Sequence, residues 1–346
     1  MAFFRKLEDR LVGLTTLFRP SQSWLIVINA DPDSLACALA LRRIMGQWGT
    51  HADIAHTNFI SRPDNLAMIR YLRIPLMRLT AEVASAYQRF AMVDSQPHHC
   101  PDFLDLPYEI ILDHHPLSPA HPLRASYLEV RPEYGAASTL LTEYLYNLGI
   151  RPGKLLATAL LYGIKSDTQS FERDFTDVDL KAFSYLSKHA SKPLLRKILH
   201  ADFHRKWLPY FTLAFTRIRY VGREGLMAYL GAVDSPDILV ILADFFLRVH
   251  GLSWDCIAGL WSDKLIAVMR SDGLRRNMGK RAQAWFGNLG SAGGHAMAAR
   301  AEIPLAALRG QDPEDFLWRR LSGRGRDQGG ALTEDPSRLP VPIFEI

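Results

Sequence analysis

Four short segments of the chain each carry an aspartate where an apolar run ends, and one of them continues into two histidines. The first, 29–34, follows the apolar run 24–28 and holds two aspartates. Hard divalent cations take about six oxygen or nitrogen ligands in proteins, and two such ions about 3.5–4 Å apart form a common catalytic pair. Aspartates and a histidine delivered from distant parts of the chain therefore predict a two-metal site. The four segments are Asn29-Ala30-Asp31-Pro32-Asp33-Ser34, Val93-Asp94-Ser95, Asp113-His114-His115 and Gly163-Ile164-Lys165-Ser166-Asp167.

Each segment taken alone also has a simpler interpretation. Asp33, or the serine after it, would suit the N-cap of a helix. Asp94 precedes a turn-like Ser-Gln-Pro sequence, and Asp167 would suit the end of a helix. The ordered set of four favours metal ligation, which can coexist with capping. The neighbouring pair His98-His99 is interpreted as part of a surface loop.

This order of motifs resembles that of the DHH phosphoesterases. The superfamily includes RecJ-type exonucleases, nanoRNase/pAp phosphatases, cyclic-dinucleotide phosphodiesterases and family II inorganic pyrophosphatases. A D-x-D segment at 31–33, a lone aspartate at 94, the D-H-H triplet at 113–115 and a fourth aspartate at 167 follow the order of that family. The whole resemblance covers roughly residues 22–305.

A further motif lies in the second half of the chain. Arg270-Ser271 is followed about two dozen residues later by Gly293-Gly294-His295, which is similar to the glycine-rich GGGH segment of the accessory DHHA1 domain. The first glycine of that segment is replaced, since Ala292 precedes Gly293. Glycines let the backbone approach an anionic ligand closely. The resemblance implies that the substrate-binding residues are His115, Arg270, Ser271, Gly293, Gly294 and His295.

The resemblance also implies how the residues of the first half share the metals. Asp94 would bridge both ions, and His114 with Asp167 would complete the second metal site. His115 would contact the scissile phosphate, and Asp113 would accept a hydrogen bond that fixes the histidine tautomer. The implied catalytic residues are Asp31, Asp33, Asp94, His114, His115 and Asp167. The implied metal ligands are Asn29, Asp31, Asp33, Asp94, His114 and Asp167.

Asn29 departs from the family pattern, in which a histidine is common at this position. An amide oxygen is a neutral and weaker ligand for a transition metal than an imidazole nitrogen. Either the affinity for the first metal is reduced, or the preference shifts towards a harder ion such as Mg²⁺. A catalytically weak protein that binds nucleotide as a sensor therefore stays open as an alternative.

The alternation of β-like runs and helical patterns in the first half is typical of a parallel sheet with crossover helices. The carboxyl ends of such strands are where open α/β sheets place their sites. We expect an α/β fold: a parallel-sheet DHH domain followed by a smaller α+β DHHA1 domain, with the active site in the interdomain cleft. The predicted parts are an amphipathic helix at 1–20, the DHH catalytic domain at 21–190, a helical connector at 191–207, the DHHA1 domain at 208–322 and a flexible basic tail at 323–346. Within the DHHA1 domain, residues 213–221 and 225–232 are expected to form a β-hairpin.

Composition indicates an ordinary globular protein. The chain has 346 residues, of which 48% are hydrophobic and 22% are charged, so two domains with sizeable cores are expected. Its three cysteines have no paired spacing, which favours a reducing, cytoplasmic location. Charged residues at 5–10 argue against a signal peptide, and no run approaches ~18 apolar residues, so no stable membrane insertion is expected. The formal net charge of +5 is compatible with an anionic substrate.

Together these features predict a phosphoester hydrolase that uses two divalent metal ions, with Mn²⁺ preferred and Mg²⁺ as the alternative. The expected substrate is a short single-stranded nucleic acid or a nucleotide, as for the nanoRNase/pAp phosphatase type. A cyclic-dinucleotide phosphodiesterase and a single-strand exonuclease stay open as alternatives, and so does a homodimer.

Overall fold

The computed structural model describes residues 3–103, 105–201 and 203–323. The chain divides into two compact units, Met1–His204 and Arg205–Ile346. The basic tail predicted at 323–346 lies, beyond its first residue, outside the described residues. None of the helices in the described ranges has the length and apolar character needed to cross a bilayer.

The first unit is built on a parallel sheet. Within the described residues this sheet has six strands in the order β3-β2-β1-β4-β5-β6, and all neighbouring pairs are parallel. Chain order therefore reverses between β1 and β4, which is the switch point at which sheets of this kind place ligands. The strands are β1 Ser23–Ile28, β2 His51–His56, β3 Met77–Arg78, β4 Arg89–Val93, β5 Tyr108–Asp113 and β6 Tyr127–Val130.

Helices connect and cover these strands. Strand β1 shows why two layers form, since Trp24, Ile26 and Ile28 face one core cluster while Leu25 and Val27 face another. The sequence of a strand that is buried on both faces is a continuous apolar run, as in β1. The helices of this unit are α1 Glu8–Thr15, α2 Pro32–Gln47, α3 Pro63–Leu72, α4 Ala81–Ser85, α5 Ala137–Asn147, α6 Lys154–Asp167, α7 Asp177–Ser187 and α8 Lys192–Leu199.

Helix α2 begins immediately after β1, and its start is fixed by a capping box. The Asp31 carboxylate accepts a hydrogen bond from the Ser34 N–H at 2.8 Å, and the Asp31 N–H donates to Ser34 Oγ at 2.9 Å. Pro32 occupies the first turn, where its fixed φ suits a helix. The helix packs against α5 and α6. The short segment between β1 and α2 therefore both caps the helix and positions predicted metal ligands.

The N-terminal helix α1 is part of the first unit rather than a separate element. Leu7, Leu11 and Leu14 are buried in the same core cluster as β1 and α2. Val12 on the opposite face is exposed. The apolar stripe of this segment is therefore covered by protein.

The second unit contains a mixed sheet. Within its described part the strand order is β11-β12-β10-β9-β8-β7, in which only the β8–β9 pair is parallel. Two core clusters lie on its two faces. The elements are α9 Leu208–Thr216, β7 Ile218–Val221, β8 Gly225–Ala232, α10 Asp237–Phe246, β9 Trp254–Trp261, β10 Lys264–Ser271, α11 Met278–Phe286, β11 Ser291–Gly294, β12 Ala298–Pro304 and α12 Pro313–Ser322.

Candidate metal centre

Four of the predicted ligands lie together at the carboxyl edge of the parallel sheet. Asp33, Asp94, His114 and Asp167 each offer one ligand atom, and these atoms all lie within 4.8 Å of one another. They come from the first turn of α2, the residue after β4, the residue after β5 and the last residue of α6. Three carboxylates and one imidazole at this spacing form a suitable donor set for a divalent transition metal.

Asp33 is fully buried and is held by the beginning of helix α5. Its carboxylate accepts hydrogen bonds from the N–H groups of Ala137 at 2.6 Å and Ser138 at 2.9 Å. These N–H groups belong to the first turn of a helix and have no partner within it. Burial and the neighbouring Asp167 raise the pKa of Asp33 to about 7.

Gly163, in the middle of helix α6, makes room for Asp33. A Cβ atom at this position would lie 2.7 Å from Asp33 Oδ1 and 3.2 Å from its Cα, and would overlap Ser138 Oγ as well. A glycine inside a helix lowers helical propensity by about 1 kcal/mol relative to alanine. The close approach of α2 to α6 explains why this position is a glycine in spite of its lower helix propensity.

Asp94 sits in an unusual backbone conformation. Its φ of 55° lies in the left-handed region, which asparagine and aspartate tolerate better than most other non-glycine residues. Its N–H donates to the Leu112 carbonyl at 2.8 Å, which ties the residue to the end of β5. Burial and the nearby Asp33 raise the pKa of Asp94 well above its usual range. Its Oδ1 atom is buried and has no hydrogen-bond partner among the described residues.

His114 presents one nitrogen to the carboxylates. Its Nδ1–H donates to the Tyr134 carbonyl at 3.0 Å, which assigns the lone pair of the neutral ring to Nε2. Nε2 lies 3.4 Å from Asp94 Oδ1 and 3.1 Å from Asp167 Oδ2. No hydrogen bond of good geometry reaches this buried nitrogen from the described residues. Burial lowers the pKa of His114, but Asp167 and Asp94 outweigh it and raise the pKa well above the ordinary value.

Asp113 orients His115 rather than His114. Its carboxylate accepts from His115 Nδ1 at 2.8 Å and from Gln96 Nε2 at 2.7 Å. The expectation that Asp113 fixes the tautomer of the metal-binding histidine is therefore corrected for His114, whose tautomer is set by a main-chain carbonyl. Successive side chains of an extended segment point in opposite directions, so Asp113 shares a side with His115.

Asp31 and Asn29 lie in the loop between β1 and α2. One Asp31 oxygen caps α2, and burial together with Asp167 raises the pKa of Asp31, which places its charge near the cluster. The side chain of Asn29 is exposed, and its main-chain carbonyl accepts from Ser34 Oγ at 2.9 Å. Neither residue belongs to the four-residue group. Their roles as first-metal ligands stay predictions.

The charges of this cluster fit a bound cation. When the His114 ring is neutral, Asp94 Oδ1 and His114 Nε2 are two buried acceptors that face each other at 3.4 Å without a donor between them. The carboxylates raise one another's pKa because each desolvated negative charge disfavours the next. A divalent ion would satisfy both acceptors and remove the repulsion, so the residues present fit the metal that the motif predicts.

Comparison with known proteins identifies the fold. No family model matches the chain. Protein MJ1633 of Methanocaldococcus jannaschii, which is itself uncharacterized, is 35% identical over 292 residues and 84% of this chain. The chain spans 59% of the length of that relative.

Two solved structures are similar over most of the chain. An exopolyphosphatase-related protein from Bacteroides fragilis superposes with a TM-score of 0.71 at 14% identity, over 92% of this chain and 96% of its own. RecJ from Thermus thermophilus, in complex with Mn²⁺, superposes with a TM-score of 0.51 at 14% identity, over 92% of this chain and 55% of its own. The chain has the fold of these two proteins. The predicted fold class is confirmed: an α/β unit with a six-stranded parallel sheet is followed by a smaller unit with a mixed sheet.

Five of the six predicted substrate-binding residues lie in the second unit, and the sixth, His115, lies in the first. Arg270 is the penultimate residue of β10, and its Nε–H donates to Asp244 at 2.6 Å. Ser271 Oγ donates to the Ala296 carbonyl at 3.0 Å. Gly294 has a φ of 144°, a value that L-residues rarely adopt, and the next N–H, that of His295, donates to the Ala298 carbonyl at 2.7 Å. The glycine-rich segment is therefore a defined turn between β11 and β12.

Several residues of the candidate metal centre were missed by the sequence interpretation. Gln96 holds Asp113 and donates to the His115 carbonyl at 3.1 Å, and Tyr134 fixes His114 through its carbonyl. Asn58 fixes the loop between β1 and α2, because its side-chain oxygen accepts a hydrogen bond from the Ala30 N–H at 2.7 Å. Of the missed residues, Gly163 alone left a signal, because a glycine inside an otherwise helical apolar pattern indicates close packing.

We expect the metal-free protein to lose stability as the pH rises from about 4, near the ordinary pKa of an aspartate, through about 7, the raised pKa of Asp33. The pKa values of Asp33, Asp94 and His114 are raised in the folded state, so that state holds protons that the unfolded chain has released. Their contribution is present at low pH and is lost as the pH passes through about 7 for Asp33. Mn²⁺ competes with these protons, so its stabilising effect should grow with pH. Thermal denaturation with EDTA or excess Mn²⁺ measures both trends.

The matched variant is Asp33→Asn/Asp94→Asn, which removes two of the titrating groups. It should flatten the pH dependence of the melting temperature and lose the Mn²⁺ response. A wild-type melting temperature that rises with pH in EDTA, or a Mn²⁺ effect that is independent of pH, would contradict the described electrostatics.

Proposed function

We propose that this protein is a metal-dependent phosphoesterase that hydrolyses phosphate ester bonds of short oligonucleotides or nucleotides. The observation that carries the proposal is the pair of buried acceptors, Asp94 Oδ1 and His114 Nε2, facing Asp33 and Asp167 at the carboxyl edge of the sheet. A site rich in carboxylate and imidazole, built on this edge, suits chemistry at phosphorus. The fold of the exopolyphosphatase-related protein and of RecJ supports the same class of reaction.

The proposed cofactor is a pair of divalent ions, with Mn²⁺ preferred. Asp33, Asp94, His114 and Asp167 would hold them, with Asp94 as the shared ligand and with Asp31 and Asn29 completing the first site. When bound, such ions lower the pKa of a coordinated water and stabilise negative charge on a phosphoryl group. The solved RecJ structure contains Mn²⁺, which supports this choice of metal.

The chain's own residues would orient the reaction. His115 is half-exposed, and its Nδ1–H is held by buried Asp113 at 2.8 Å, so the ring has a fixed direction. Its Nε2 is then placed to donate a hydrogen bond to a phosphate oxygen whenever it carries a proton. Gln96 locks Asp113 from the other side. We propose that His115, held by Asp113 and through it by Gln96, positions the scissile phosphate, which is the role of preorganised donors in phosphoryl transfer.

We also propose that the second unit supplies substrate contacts. Arg270, with Ser271 beside it, keeps three N–H donors beyond those that pair with Asp244 and with the Met269 carbonyl, and arginine suits bidentate binding of phosphate. The turn Gly293-Gly294-His295 lets a phosphate approach the backbone. Binding energy supplied away from the reacting centre orients the phosphorus, so it affects turnover as well as affinity.

A substrate panel tests the function. Purified protein with Mn²⁺ should hydrolyse at least one among a dinucleotide RNA, pAp, a cyclic dinucleotide and a short single-stranded DNA, together with a generic bis-nitrophenyl phosphodiester. Chelation should reduce turnover by at least about 100-fold, because the activated water depends on the metal. Arg270→Ala should impair the nucleotide substrate more than the generic diester while leaving the metal content unchanged.

Asp94→Asn, purified identically, controls for contaminating nucleases in this experiment. Undiminished hydrolysis after exhaustive chelation would contradict the metal-dependent mechanism. Nucleotide binding without turnover of any substrate would favour the sensor alternative, which the neutral residue Asn29 keeps open.

A further inference from the structure

His99 lies beside His115 at the carboxyl edge of the parallel sheet. It ends a short 3₁₀ helix, Pro97–His99, that follows β4 and Asp94. Its ring packs edge-on against the His115 ring, with 5.2 Å between the two centroids and an angle of 75° between the planes. The sequence places this histidine in an ordinary surface loop, whereas the fold brings it into contact with the proposed phosphate-binding residue.

Gln96, which is fully buried, orients both imidazole rings. Its side-chain amide donates to the Asp113 carboxylate at 2.7 Å, and that carboxylate holds His115. Its main-chain N–H donates to His99 Nδ1 at 3.2 Å, and the His99 N–H donates back to the Gln96 carbonyl at 2.9 Å. One residue therefore fixes the direction of two neighbouring rings, as preorganised contacts to a ligand require.

The hydrogen bonds of His99 also fix its tautomer. A main-chain N–H can only donate, so Nδ1 is the acceptor and the proton of the neutral ring is on Nε2. The Ser95 hydroxyl lies 3.3 Å from the same Nδ1. Partial burial and the neighbouring His115 lower the pKa of His99 to about 4, so the ring is neutral at neutral pH. The residue is exposed, and no hydrogen bond reaches Nε2 from the described residues, so this N–H is available to a ligand.

A second ring restrains His99 from its other side. The His98 and His99 centroids are 4.6 Å apart at an angle of 72°, and His98 stacks in turn on His121 at 4.5 Å and 6°. His121 belongs to the segment between β5 and β6, so two separate loops hold this group of rings together. The Nε2–H of His99 is therefore presented in a fixed direction next to His115.

We propose that His99 is a substrate-binding residue that donates its Nε2–H to an oxygen of the same phosphate as His115. This inference rests on the proposed function, because it extends the role assigned to His115. A transferring phosphoryl group spreads negative charge over three oxygens, so it can use more than one donor. Since its ring is neutral, His99 supplies a donor without placing another positive charge beside the proposed metal ions.

A purely structural role would limit His99 to capping the 3₁₀ helix through Nδ1, and two substitutions separate the two roles. The side-chain oxygen in His99→Asn can accept from the Gln96 N–H in place of Nδ1, but no donor then occupies the position of Nε2. The amide N–H in His99→Gln reaches the position of Nε2. A phosphate donor predicts loss of activity in the asparagine variant and retention in the glutamine variant, whereas a cap predicts the opposite order.

Steady-state kinetics with Mn²⁺ and the bis-nitrophenyl phosphodiester test the proposal. His99→Asn should lower kcat/KM about 100-fold, because one donor to the transferring group is lost, while metal content and melting temperature stay unchanged. His99→Gln should stay within about fivefold of wild type, because its amide replaces the donor. His51→Asn is the matched control and should behave as wild type, because His51 is exposed and begins β2 at the opposite edge of the sheet.

Calorimetric titration of the Mn²⁺-loaded protein with inorganic phosphate gives a measurement that does not depend on turnover. His99→Asn should weaken phosphate binding about tenfold, as expected for the loss of a hydrogen bond to a charged group. Wild-type kinetics and phosphate affinity in this variant, or the reversed order of the two variants, would overturn the inference and leave the proposed hydrolysis intact. If the wild-type protein hydrolyses no substrate, the proposed function fails, and phosphate binding alone decides the role of His99. Absence of phosphate binding by the wild type at millimolar concentration overturns the inference as well.

Discussion

Asp94→Asn is expected to reduce phosphoester hydrolysis at least about 1,000-fold, which corresponds to about 4 kcal/mol of transition-state stabilisation. Asp94 is the proposed shared ligand, and its buried Oδ1 faces His114 Nε2 at 3.4 Å. Loss of its charge removes one ligand from each proposed ion, whereas changing any other residue of the group removes a ligand from one ion. Steady-state kinetics with the preferred substrate, together with metal content by mass spectrometry, measures the effect.

The choice of asparagine separates ligation from backbone strain at this position. Asparagine tolerates the left-handed φ of 55° as well as aspartate does, so the backbone is preserved. Asp94→Gly gives the matched variant, which relieves any strain but also lacks the carboxylate. Both variants should be inactive and deficient in metal. Wild-type turnover in Asp94→Asn with two bound ions would show that the carboxylate does not bridge.

The arrangement of the metal centre was largely accessible from sequence because each ligand ends a recognisable element. An apolar run followed by a polar loop marks the carboxyl end of a buried parallel strand, and such ends lie along one edge of the sheet. Asp94 and His114 follow β4 and β5 in this way, and Asp33 follows β1. Parallel pairing brings Asp33, Asp94 and His114 to one edge of the sheet, and the packing of α6 against α2 brings Asp167 to them.

The hydrogen-bond network around these ligands was not accessible in the same way. Asp113 and His114 are adjacent, so sequence suggested that one supports the other. Instead Asp113 binds His115, and a carbonyl from residue 134 fixes His114. Side-chain direction alternates in an extended segment, and a main-chain carbonyl carries no sequence signature. Such partners are found only once the loop conformation is known.

One secondary-structure expectation in the second unit is wrong for a related reason. The run 213–221 resembles a strand, because it is apolar and aromatic, but residues up to Thr216 belong to helix α9 and β7 begins at Ile218. Short apolar runs are compatible with both conformations. Ala214 is buried in the core beside Trp207, so tertiary packing decides the outcome.

Gly163→Ala is expected to weaken Mn²⁺ binding and turnover together, each about 100-fold. The added Cβ would lie 2.7 Å from Asp33 Oδ1, closer than real Cβ contacts allow, and 3.2 Å from Asp33 Cα, which is a tight contact. Asp33 cannot simply rotate away, because the N–H groups of Ala137 and Ser138 hold both of its oxygens. The start of α2 must therefore shift, and a displacement of about 1 Å at a reacting centre is enough for a 100-fold loss. Titration with Mn²⁺ and steady-state kinetics measure the two effects.

Gly13→Ala in helix α1 is the matched control, since its new Cβ would meet only the Tyr127 ring at an ordinary distance of 3.7 Å. Alanine is the better helix former, so this control should gain up to about 1 kcal/mol in free energy of unfolding and keep its metal affinity. In Gly163→Ala the same gain in helix propensity is opposed by the steric overlap of the new Cβ. We expect the overlap to displace the side chain of Asp33, a proposed metal ligand. Because α6 also ends in Asp167, a shift between α2 and α6 changes the distance between two proposed ligands at once. If Gly163→Ala keeps normal Mn²⁺ affinity but has a reduced melting temperature, then α6 shifts rather than Asp33. Gly163 would in that case matter only for the packing of α6 against α2.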